Sequence, residues 1–63
     1  MVSQAELSSL QTAIRELSER ITAAADELVG TSDEDVAIDL YEVDRSLRTA
    51  QRRFFRAAEG LEQ

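Results

Sequence analysis

Apolar residues recur along most of this chain in steps of three and four. The first series is Leu7, Leu10, Ile14, Leu17, Ile21, Ala24 and Leu28; the second is Val36, Leu40, Val43, Leu47, Ala50, Phe54, Ala57 and Leu61. Alternation of three and four is the heptad pattern of helices that pack along a seam of a and d positions. Residues 7, 14, 21, 28 and 40, 47, 54, 61 take a, and the others take d. Gly30 separates the two series and, needing no Cβ, suits the left-handed stop of a first helix. Ser3-Gln4-Ala5-Glu6 reads as a capping box, flanked by Val2 and Leu7 as a hydrophobic staple. Thr31 or Ser32 can cap a second helix, and Asp33, Glu34 and Asp35 then lie against its positive end.

The pattern predicts an all-α fold, one helical hairpin over residues 1–63, with helix 1 about 3–29, the turn at 30–32 and helix 2 about 33–59, ending near Gly60. So short a connection makes the helices antiparallel. Setting Leu28 against Val36 across the turn gives a coiled-coil-like register in which partner numbers total 64. Its layers are Leu28 with Val36, Ala24 with Leu40, Ile21 with Val43, Leu17 with Leu47, Ile14 with Ala50, Leu10 with Phe54 and Leu7 with Ala57. Every layer sets a against d, and several set a large side chain against alanine, as close packing requires. Phe54 is then core, while Phe55, about 100° further round the helix, faces away.

A two-helix seam leaves its core open along both edges. The positions flanking the seam include Ala13, Ala25, Ala37 and Ala58, small enough to admit a second hairpin, with Gln11, Ser18, Ser46 and Gln51 beside them. The expected assembly is a homodimeric four-helix bundle with those alanines in the dimer interface. Glu6, Arg20, Glu27, Asp39, Asp44 and Arg53 also flank the seam, so the apolar face is only partly widened. Eight acids and no arginine lie between Asp26 and Asp44, and five arginines and no acid between Arg45 and Arg56. Turns at opposite ends keep acid from acid, so an antiparallel dimer is expected. In outline the chain resembles the repressor-of-primer family of plasmid copy-number control, short hairpins that dimerise into four-helix bundles and bind paired RNA loops through the outside of the first helix. The resemblance implies the shape. The corresponding surface here, Ser8, Thr12, Arg15, Glu19, Thr22 and Asp26, has no aromatic residue and carries net negative charge, so RNA binding is not carried over.

Composition narrows the chemistry. The chain has no Cys and no His, which removes disulfides, leaves no expected metal site, and takes away the usual nucleophile–base pairs. Its two glycines are thirty residues apart, so no phosphate-cradling loop is expected, and neither a cofactor nor an enzymatic activity follows. A net charge of −6 opposes general nucleic-acid binding. No apolar run approaches the ~20 residues of a membrane span and no signal pattern opens the chain, so no membrane partner is expected and the cytoplasm is the expected location.

One stripe stands apart from the seam: Ile38, Tyr41, Arg45, Arg48, Arg52 and Phe55, on the back of helix 2. Arg and aromatic residues are over-represented at binding hot spots. The expected function is therefore a small adaptor, self-associating and showing this Arg/aromatic face to another protein. Two alternatives share the same residues. A nucleic-acid accessory protein would place Arg48, Arg52, Arg53 and Arg56 on phosphates and stack Phe55 or Tyr41 on bases. A purely structural dimerisation module would leave the stripe solvated.

Overall fold

The computed structural model describes residues 1–62. Two helices, α1 (Gln4–Leu28) and α2 (Glu34–Glu62), pack against each other as a hairpin. The Ser3 hydroxyl caps α1 by accepting from the Glu6 amide at 3.1 Å. Gly30 stops α1 with φ +80°. Thr31 joins the helices: its hydroxyl donates to the Leu28 carbonyl at 2.6 Å and accepts from the Asp33 amide at 3.1 Å. The Glu34 carboxylate accepts from the Gly30 amide at 2.6 Å, which ties the first residue of α2 back to the turn. Gly60 does not end α2, which continues to Glu62. Among the described residues no helix is long and apolar enough to cross a membrane.

The seam differs from the expected one. Ser18, Ala25, Ala37, Asp44 and Ala58 are the buried residues, with Ala25 at 0% and Ala37 at 1% exposure. Gln11 and Gln51, on the same stripes, are half-buried. These are all e positions. The a positions Leu7, Ile14, Ile21, Leu28, Leu40, Leu47 and Phe54 remain in the seam, half-buried. The d positions leave it: Leu10, Leu17 and Val43 are 45% exposed, and Val36 is 43%. Each helix is thus turned about 50° from the a/d arrangement, half of the 100° step between neighbouring residues. Hydrogen-bonded partners, Ser18 with Asp44 and the Gln4 side chain with the Ala58 carbonyl (3.2 Å), total 62 and not 64. Leu10, expected to stack on Phe54 in the seam, is 45% exposed, while Phe54 is half-buried.

Side-chain size explains the shift. The a and d stripes are apolar, and the e stripe beside a adds Ala25, Ala37 and Ala58 among polar residues, so the face is wider than one helix can cover. The e stripe carries Ala25, Ala37, Ala58 and Ser18, which let the backbones approach closely, so the small stripe goes between the helices. Three of the four alanines expected in a dimer interface, Ala25, Ala37 and Ala58, are consequently buried within the hairpin; only Ala13 stays exposed. Both d stripes emerge on one side of the hairpin, since two antiparallel helices turned alike about a shared seam present the same flank.

Candidate functional site

Two surfaces flank the seam, one apolar and one rich in arginine. The apolar surface is the d face, built from Leu10 and Leu17 of α1 and Val36 and Val43 of α2, with Ala24, Ala50 and Ala57 filling between them. It has no cover within the chain. No large side chain is fully buried anywhere among the described residues; the buried apolar residues are three alanines. The chain exposes 4891 Å², whereas a compact monomer of 7.0 kDa exposes about 4,000 Å². Its radius of gyration, 14.7 Å, likewise exceeds the roughly 11 Å of a compact chain this long.

The opposite surface holds the stripe on the back of α2, where the structure divides the six residues into two groups. Nearer the turn, Ile38 is well exposed, the Tyr41 hydroxyl donates to Asp26 of α1 at 2.5 Å, and Arg45 lies 3.7 Å from Glu42. The bond to Asp26 raises the Tyr41 pKa above its ordinary value, with desolvation and the Asp26 charge acting in the same direction. Farther from the turn, Arg48, Arg52 and Phe55 join Arg56, Gln11 and Gln51 in an open groove between the helices. Phe55 is 54% exposed in that groove. Arg48 pairs with Asp44 at 2.9 Å, while Arg52 approaches only the Thr49 hydroxyl, at 3.4 Å. The groove therefore offers guanidinium donors beside an aromatic ring, a combination suited to a carboxylate-bearing partner with some apolar surface.

Beside Arg48, at one end of the groove, lies a polar cluster that the heptad pattern does not announce. Ser18 donates to Asp44, and both residues are 6% exposed. The Ser18 bond holds the Asp44 carboxyl below its ordinary pKa, aided by Thr22 and by Arg48, against the opposing effect of desolvation. Asp44 also anchors Arg48, so this seam layer sets one guanidinium of the groove in place. Gln11, Gln51 and Arg56 are further groove residues outside the six-residue stripe. Polar side chains recurring at e on both helices were the available signal for the first two. Comparison with known proteins finds no matching family model, no matching curated protein and no matching solved structure.

Proposed function

We propose that this chain is a small interaction protein that completes its core by pairing with a second copy through the d face and displays the Arg/aromatic groove of α2 to an acidic protein partner. One observation carries the reading: four large aliphatic side chains share one open face of a hairpin in which no large side chain is fully buried. The surface in excess of a compact monomer is about 900 Å², close to the roughly 800 Å² each partner buries in a standard interface. A second copy supplies a face of the same shape and chemistry, as a two-fold interface requires. The arginine groove lies on the other side of the hairpin and stays open in such a dimer.

Sedimentation at micromolar concentration tests self-association, with a mass of about twice 7.0 kDa expected. Leu17→Glu/Val43→Glu places two charges on the d face and is expected to leave only monomer, largely unfolded. A wild-type monomer of 7.0 kDa would overturn the reading. The groove is tested with a synthetic acidic helix bearing one exposed leucine stripe. Wild type is expected to bind it, and Tyr41→Ala/Phe55→Ala to keep the dimer but lose the peptide. Loss of the dimer in that variant would make the stripe a self-interface instead.

A further inference from the structure

We infer that the two copies mate with their turns at the same end, so that α1 of each lies over α2 of the other. The inference rests on the self-association proposed above and concerns which way round the second copy sits. It comes from the charges on the rims of the d face. Those rims are the g positions, one step outside d: Glu6, Ala13, Arg20 and Glu27 on α1, and Asp39, Ser46 and Arg53 on α2. The five charged residues among them, Glu6, Arg20, Glu27, Asp39 and Arg53, are exposed, and among the described residues none is held in an ion pair.

The register of the hairpin places Glu6 within one helical turn of the level of Arg53, and Arg20 within one turn of Asp39. Within one hairpin these pairs sit on opposite outer rims, with both helices between them. With both turns at one end, a two-fold axis along the bundle brings α1 over α2 of the mate at unchanged height. Glu6 then meets Arg53 and Arg20 meets Asp39 on both rims, four opposite-charge contacts by symmetry, while Ala13 meets Ser46. Glu27 lies a little over one helical turn from Asp39, one like-charge approach on each rim against two opposite-charge ones. With turns at opposite ends and Leu17 on the dyad, α1 lies over its own counterpart. That arrangement keeps Asp39 near Arg53 but sets Glu6 against Glu27 and leaves Arg20 facing Ala13.

The acids around the turn do not reverse this preference, although the charge distribution along the chain alone favours opposite ends. Four of the eight are engaged away from the rims: Asp26 accepts from Tyr41 on the back, Glu34 accepts from Gly30, Glu42 lies beside Arg45, and Asp44 is buried with Ser18. Charges that do not meet at the rim interact across solvent, where screening beyond about 8–10 Å removes most of their repulsion. Rim contacts are short and decide the alignment.

The chain has no native cysteine, so introduced pairs report the alignment directly. Arg20→Cys/Asp39→Cys is expected to give a covalent dimer under mild oxidation, and Ala13→Cys/Arg20→Cys is expected not to. The reverse pattern, or a dimer that neither pair links, would overturn the alignment while leaving self-association intact. A monomer by sedimentation would instead remove the reading beneath it. Charge reversal gives a second measure. Arg20→Asp is expected to weaken dimerisation about tenfold, two rim contacts being lost. Adding Asp39→Arg should restore it; no recovery would count against the alignment.

Discussion

Gly30 and Asp44 show what a single residue contributes in a chain this small. Gly30 sits at φ +80° with open space around the position of a Cβ. Gly30→Ala therefore costs backbone strain alone, about 1–2 kcal/mol, read as a fall of roughly 4–8 °C in Tm for each kcal/mol. Asp44 is held below the ordinary aspartate pKa, chiefly by Ser18. A depressed carboxyl contributes stability that is present above the unfolded-state pKa, near 4, and is lost as pH falls through the lower folded value. The urea midpoint should fall on going from pH 7 to pH 3, and Asp44→Asn should reduce that dependence. Ser18→Ala should lower stability at pH 7, because the carboxylate loses its main donor in the seam. The Ser3 cap and the glycine stop were legible in the sequence, since each depends on neighbours within a few residues. The start of α2 was not, because Thr31 bonds within the turn and the Asp33 carbonyl accepts the first bonds of the helix. The Ser18–Asp44 bond was not, because an aspartate at a flanking heptad position reads as a solvated charge until the partner helix is in place.

At the scale of the elements, the two helices, their antiparallel course and the turn follow from periodicity and end signals. Their rotation about the seam does not. Stripes a and d are apolar, stripe e mixes alanine and serine with Gln11, Asp44 and Gln51, and a pattern of steps alone cannot say which two face the partner helix. Backbone approach decides it: alanine and serine at e allow a close seam, and leucine and valine at d are left outside. Ala25→Leu should cost about 1–3 kcal/mol through overpacking, whereas Ala13→Leu, on an exposed rim, should stay within about 0.5 kcal/mol. Chemical denaturation of the two variants side by side checks this. Equal effects would favour the a/d seam. Phe54 and Phe55 part as the heptad predicts, Phe54 half-buried in the seam and Phe55 beside the arginines. The groove was legible as a stripe of α2, but its α1 wall, Gln11, belongs to the other helix and needed the tertiary register.

For the whole molecule, folding and pairing are expected to be one event, since among the described residues the uncovered hairpin buries no large side chain completely. The melting temperature should then rise with protein concentration, each tenfold increase favouring the folded dimer by about 1.4 kcal/mol per mole of dimer. A melting curve unchanged across a hundredfold dilution would contradict this. The arginine groove has a different relation to concentration, because a two-fold dimer carries it twice, on opposite outer sides. A partner with two acidic helices on a suitable linker could gain avidity, or be bridged into chains, according to the span between sites. The polar layer in the seam has the longest reach. Ser18 and Asp44 meet across the inner boundary between the helices, and the same rotation that joins them leaves the oily d edge facing outward. A chain of this length could have turned more of its leucines inward; with a serine and an aspartate seated in the seam, the oily edge of the lone hairpin stays wet.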